Sequence, residues 1–150
     1  PVFLARQLMK HQAGLSWNEV SRRYVDDGFE FYSPAEWRLR PDDSIKQGSG
    51  EVAEDSDQIK EAYDMFLLDV VGFVKNIMDK GGIAPEMARM ALPQSMMVDF
   101  IWTGNLLAFS HVYNLRIGEG AQKEAQDFAK LLGEAIAPEF PVGWEALTSE

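Results

Sequence analysis

Cysteine is absent from the 150 residues, which excludes disulfides, zinc–thiolate centres and a cysteine nucleophile. Histidine occurs only twice, as His11 and His111. Two isolated imidazoles without ligand spacing do not make a metal site, and none is expected. No run approaches the roughly eighteen consecutive apolar residues that a membrane helix needs. The opening Pro1-Val2-Phe3-Leu4 also lacks a signal-peptide layout, so the expectation is a cytoplasmic chain with no membrane partner. Positive charge is scarce: 14 Lys and Arg against 24 Asp and Glu leave a net charge of -10. That balance speaks against a nucleic-acid backbone as partner, because such affinity comes from many cationic contacts to phosphates. A small anion can still be held where a few arginines converge against the overall field.

What is present is an ordinary globular composition, 46% hydrophobic and 25% charged, enough for one domain with a real core. Pro1 stands directly before an apolar, strand-like Val2-Phe3-Leu4, which reads as the middle of a longer fold. Residues 1 to 24 then become dense in polar groups, a pattern expected of a site. From Asp26 to Ser56 only Phe29-Glu30-Phe31-Tyr32 reads as a short strand, and Pro41, Gly48 and Gly50 predict a mobile excursion over 41 to 55.

The clearest helix is predicted from about Asp57 to Lys80. There Ile59, Tyr63, Phe66, Val70, Phe73 and Ile77 recur at alternating spacings of four and three. Leu67, Leu68, Val71 and Val74 widen this stripe, so packing on two sides is expected, one of them against another subunit. Asp55 or Ser56 is placed to cap its start and Gly81-Gly82 to end it. A short helix between Pro85 and Pro93 holds Arg89. Residues 95 to 103 favour a strand, and the spacing of Leu107, His111 and Leu115 predicts a helix to about Arg116. A last helix is expected over Glu119 to Ala137, with Ala121, Ala125, Phe128, Leu132 and Ile136 inward and Pro138 stopping it.

If Trp17 to Tyr24 is extended, alternation sends Glu19, Ser21 and Arg23 to one side. An acceptor, a hydroxyl and a guanidinium then share an edge. Arginine matches phosphate oxygens bidentately while the other two take ribose or base hydrogen bonds. On alternation alone, a solvated strand edge with scattered ion pairs explains the same residues.

Three blocks carry a family resemblance. Arg6-Gln7-Leu8-Met9-Lys10-His11-Gln12, followed by Ser16-Trp17-Asn18-Glu19-Val20-Ser21-Arg22-Arg23-Tyr24, resembles the signature of flavin-dependent thymidylate synthases, Arg-His-Arg, a spacer, then Asn-Glu-x-Ser-x-Arg-Tyr. Ala88-Arg89-Met90-Ala91-Leu92-Pro93 resembles the family's Ala-Arg-x-x-Leu-Pro. Trp102-Thr103-Gly104-Asn105, His111, Leu115-Arg116 and Ala121-Gln122-x-Glu124 follow in the family's order.

The resemblance implies an α+β fold with a small, mainly antiparallel sheet and several helices. It further implies a homotetramer with active sites between subunits, binding FAD and dUMP, with methylenetetrahydrofolate as carbon donor and NADPH as reductant. Residues 1–150 are then expected to form a single domain lacking the family's N-terminal part. By the same resemblance Gln7, Glu19, Ser21, Arg23 and Arg89 match dUMP-binding positions. Arg116 matches a pyrimidine contact and is the first catalytic candidate, its cation placed to stabilise charge developing on the ring. Ser21, the signature serine, is the second candidate, with a holding and orienting role. Lys10, His11, Asn105 and His111 match flavin-contacting positions. The chain departs from the pattern at Lys10-His11-Gln12, at Leu107, where an arginine is common, and at Val98, where a threonine is common. The competing expectation is a relative that binds dUMP or FAD without turnover.

Overall fold

A computed structural model describes residues 1–21, 28–41 and 48–149. Arg23 and residues 42–47 of the predicted 41–55 excursion lie outside the described residues. The elements run α1 (Val2–Leu8), β1 (Leu15–Glu19), α2 (Ser56–Asp79), α3 (Pro85–Ala88), a 3-10 turn (Arg89–Ala91), β2 (Phe100–Gly104), α4 (Leu106–Ile117), α5 (Lys123–Ile136) and α6 (Pro141–Thr148). This is the α+β architecture expected, with β1 and β2 paired in a two-stranded antiparallel sheet. The chain forms two compact units, one from Pro1–Ala5, Glu19–Trp37 and Val52–Phe100, the other from Arg6–Asn18, Arg38–Glu51 and Ile101–Glu150.

The first unit corrects the strand expected at Val2-Phe3-Leu4, which lies in helix α1. Helix starts leave N–H groups without intrahelical acceptors. Here the Val2 N–H donates to the Met96 carbonyl and the Phe3 N–H to the Gln94 carbonyl, both at 2.9 Å. With those donors satisfied, a helix buries Leu4 and Ala5 together, which a strand's alternation would send to opposite faces. The strand expected at 29–32 is reduced to a single bridge between Phe31 and Met96.

Helix α2 has nearly the predicted limits, but its buried stripe is rotated. Ser56, Leu67 and Val74 are buried, whereas Phe66 and Phe73 of the predicted stripe are exposed. Tyr63 sits edge-on to Trp37 at 5.2 Å, and its hydroxyl donates to Ser95 Oγ. These partners turn the face centred on Tyr63, Leu67 and Val74 inward. Ser56 is used differently from a cap, its hydroxyl accepting the Trp37 N–H at 2.8 Å. The helix stops at Gly81-Gly82 as expected, with Gly82 at φ +64° and its N–H on the Met78 carbonyl.

In the second unit, the register of the sheet sets Trp17 beside Trp102, with ring centroids 5.4 Å apart. Trp102 also meets Phe109 edge-on at 5.4 Å and Phe128 at 6.2 Å, making it the hub of this core. A side chain at Gly104 would come within 2.4 Å of Leu15 Cδ2 and 2.9 Å of the Gly14 carbonyl, so only glycine lets the strand pass there. Helices α4, α5 and α6 pack together. Of the residues expected inward on the last helix, Ala125 is buried and Phe128, Leu132 and Ile136 are half-buried, while Ala121 precedes α5, which starts at Lys123 rather than Glu119. Ala129 and Gly133 complete its buried face.

Helix α6 was not anticipated, although Pro141 at its first turn is a recognised start signal. It buries Trp144, whose ring stands 5.3 Å from that of Tyr113. The face marked by Leu107, His111 and Leu115 on α4 is exposed. Ala108, Ser110 and Val112 are buried instead, because small residues let neighbouring helices approach.

Candidate functional site

The first unit contains a cavity of about 450 Å³, a volume suited to a small organic ligand. Glu19, Ser21, Arg89 and Gln94 supply its polar lining, while Val2, Met90, Leu92, Pro93 and Met96 supply its apolar wall. Glu19 ends β1 and Ser21 stands two residues on, so strand alternation presents both to the same side, as the sequence predicted. Arg89 arrives on the 3-10 turn after α3. Pro85 at the first helical position starts that segment, and the Leu92 N–H on the Arg89 carbonyl closes it at 3.1 Å. Arg89 Nε donates to the Glu86 carbonyl at 3.3 Å, which orients an otherwise exposed guanidinium. The carbonyls of Gln94 and Met96 that hold the start of α1 give this wall of the cavity a fixed backbone.

Of the residues matched to dUMP positions, Glu19, Ser21 and Arg89 thus meet in one cavity. Arg23 falls outside the described residues, and Gln7 belongs to the second unit. Gln94 was not singled out by the sequence, since a lone glutamine after a proline carries no signal. Met96, read as core filling, is 7% exposed and also lines the cavity.

The remaining candidates lie in the second unit. Arg116, in the last turn of α4, donates through Nε to His11 Nε2 at 3.1 Å. An imidazole nitrogen that accepts cannot carry a proton, so His11 is neutral with its hydrogen on Nδ1. Partial burial, and then the Arg116 charge, hold its pKa below the ordinary 6.5. Asn105 caps α4, its Oδ1 accepting the Ala108 N–H at 2.8 Å. Gly14 at φ +75° lets the chain pass close to that amide, since an added Cβ would lie 3.0 Å from Asn105 Nδ2. Lys10 and His111 are exposed. Gln7 Nε2 donates to Gln122 Oε1 at 2.5 Å.

No group of three or more His, Asp or Glu among the described residues could hold a metal ion. None of the described helices is long and apolar enough to cross a membrane.

The model of the family described as thymidylate synthase complementing protein matches residues 1–142. The chain belongs to that family. A flavin-dependent thymidylate synthase of Aquifex aeolicus is 37% identical over 137 residues, covering 91% of this chain and 43% of the relative. One from Thermus thermophilus is 32% identical over 152 residues, covering 97% of this chain and 53% of the relative. The chain therefore spans about half the length of these relatives. A crystal structure of the UMP/dUMP methylase PolB from Streptomyces cacaoi bound with 5-Br UMP has a TM-score of 0.86 at 29% identity. It covers 99% of this chain and 70% of that one. Its complex with 5-Br dUMP gives 0.85 at the same identity, covering 99% and 67%.

Proposed function

We propose that the chain takes part in flavin-dependent methylation of dUMP to dTMP, with methylenetetrahydrofolate as carbon donor and NADPH as reductant. The observation that carries this reading is the convergence of Glu19, Ser21 and Arg89, from two motifs far apart in sequence, on one cavity. Arg89 supplies a guanidinium for the phosphate. Glu19 accepts hydroxyl or N–H donors, and Ser21 donates or accepts as the bound group requires. Arg23 is proposed as a second phosphate contact by its place in the signature.

Arg116 is proposed as the catalytic cation. Its Nε is engaged by His11, and the two terminal nitrogens carry the remaining N–H donors, the kind of group that stabilises charge developing on a pyrimidine oxygen. Ser21 holds and orients the nucleotide.

The donor chemistry of Lys10, Asn105, His111 and His11, through Nδ1, fits a dinucleotide rich in phosphate and carbonyl oxygens, as FAD is. When bound, FAD supplies the hydride, drawn from NADPH, that completes the methyl group. Residues here hold and orient that cofactor, with fewer cations than the family pattern because Gln12 and Leu107 are neutral.

The working form is proposed as a cytoplasmic homotetramer with its active sites between subunits. Supporting it, Met65 and Leu68 on α2 are 68% and 73% exposed, beside exposed Phe66 and Phe73. A broad apolar face of that kind is costly to leave in water.

The test is addition of FAD, NADPH, methylenetetrahydrofolate and dUMP to the purified protein. The reading expects a yellow protein whose NADPH oxidation is stimulated by dUMP and accompanied by dTMP. Colourless protein that still binds dUMP identifies a relative without turnover, and no dUMP binding removes the nucleotide reading.

A further inference from the structure

The third sequence block places Gln122 and Glu124 at the start of α5, and neither residue has a part in the function proposed above. Both are tied to Gln7. The Glu124 carboxylate, 8% exposed, accepts from Arg38 at 2.5 Å through Oε1 and from Gln122 Nε2 at 2.8 Å through Oε2. Gln122 Oε1 in turn accepts from Gln7 Nε2. Arg38 is itself steadied, its Nε donating to Ser49 Oγ at 2.6 Å.

The direction of these bonds follows from the carboxylate. An ionised carboxylate only accepts, so the end of Gln122 beside it must be the NH2 group. The other end of Gln122 is then its oxygen, which needs a donor and receives the NH2 of Gln7. A side-chain amide has two ends of nearly equal size and opposite hydrogen-bonding sense. Fixing one end fixes what the other offers. Burial of Glu124 favours its neutral form, but the bonds from Arg38, its own backbone N–H and Gln122 outweigh burial and hold its pKa below the ordinary 4.5. The carboxylate therefore stays charged at neutral pH, and the start of a helix suits a negative group.

We propose that Glu124 is a positioning residue for the nucleotide. Acting through Gln122, it fixes the Gln7 amide so that the Gln7 carbonyl oxygen is the end presented to the ligand, where it accepts an N–H or O–H of the bound pyrimidine nucleotide. This rests on the reading of Gln7 as a dUMP-binding residue. It goes further by assigning the sense of that contact and the residues that set it.

Two variants and two readouts test it. Glu124→Gln replaces an acceptor by an amide that can offer either end, so the chain of amides can invert. Gln122→Leu cuts the connection while keeping the Arg38–Glu124 pair. In the ligand-free protein, the side-chain NH2 signals of Gln7 in the nitrogen–proton NMR spectrum are expected to shift in both variants. The dissociation constant for dUMP is expected to rise about tenfold in both, the loss of one well-made hydrogen bond. In a Gln7→Leu background, Gln122→Leu should add nothing, since residues that act through one another are not additive.

Unmoved Gln7 signals would overturn the relay, as would shifted signals with unchanged dUMP affinity, or a full further loss in the double variant. A purely structural role for Glu124 would lower the melting temperature without that non-additivity. If the unaltered chain binds no dUMP while the Gln7 signals still move, the relay stands and the assignment of its ligand falls with the nucleotide reading.

Discussion

Arg116 donates through Nε to Nε2 of His11, at 3.1 Å across 105 positions of sequence. The bond joins the residue matched to the pyrimidine with one matched to the flavin. It requires His11 to be neutral, and the Arg116 charge adds to partial burial in keeping it so.

Arg116→Ala is expected to lower the rate of dTMP formation by about 10²- to 10³-fold, the loss typical of one electrostatic stabiliser. Circular dichroism should show the fold retained. The same variant should raise the pKa of His11, since the Arg116 charge that helps hold it down is gone. An NMR titration of the imidazole checks this, and unchanged turnover would remove Arg116 from the mechanism.

His11 also makes stability depend on pH. Its folded pKa lies below the unfolded value of 6.5, so between the two the unfolded chain binds more protons. Stability therefore rises with pH across that window and is lost as pH falls below 6.5. The urea midpoint of the native sequence should drop between about pH 7 and 5.5, while that of His11→Gln stays nearly level. Glu124 acts at more acid pH: its depressed carboxyl stabilises the fold above 4.5, and that contribution fades as pH falls through the folded value. Equal slopes for native and His11→Gln proteins in the upper window would refute the assignment.

Arg89→Ala should weaken dUMP by about 10- to 100-fold, as expected for losing a charged hydrogen-bond donor worth roughly 1.5 to 3 kcal/mol. FAD affinity should change by less than about threefold. Calorimetric titration with each ligand separates the two effects, and matched losses would mean that the cavity has been given the wrong ligand.

Gly133→Ala should destabilise the protein despite lying in a helix. Alanine gains up to about 1 kcal/mol of helix propensity, but its Cβ would come within 2.8 Å of the Tyr113 ring. That ring is backed by Trp144, and overpacking of this kind costs about 1 to 3 kcal/mol. A net loss near 1 kcal/mol is expected by urea denaturation, and a gain would show that Tyr113 moves freely.

Leu68→Glu is expected to break the assembly. Leu68 is 73% exposed in the single chain, and a charge there would be buried in the proposed homotetramer. Sedimentation should find tetramers for the native protein and smaller species for the variant. An unaltered tetramer would place the interface elsewhere.

Much of this was legible in the linear order of residues. The long helix, its glycine stop and the Pro85 start follow from local chemistry: periodicity, capping and the fixed φ of proline act over a few residues and need no distant partner. The motif spacing likewise selected Glu19, Ser21 and Arg89, which line one cavity.

Other features depended on partners far away in sequence. Val2-Phe3-Leu4 became a helix because the carbonyls of Gln94 and Met96 were there to take its first N–H groups. Phe66 and Phe73 lost the inward face of α2 to Leu67 and Val74, because Trp37 and Ser95 fix the direction of Tyr63. Gln7 could be matched from sequence, but which end of its amide is turned to Gln122 follows from the Glu124 charge two hydrogen bonds away. Sequence alone determined the long helix, its glycine stop, the Pro85 start and the family, because those are short-range or compositional properties. Tertiary structure decided which faces are buried and in which sense the polar groups point, because hydrogen-bond direction and packing depend on the partner as much as on the residue.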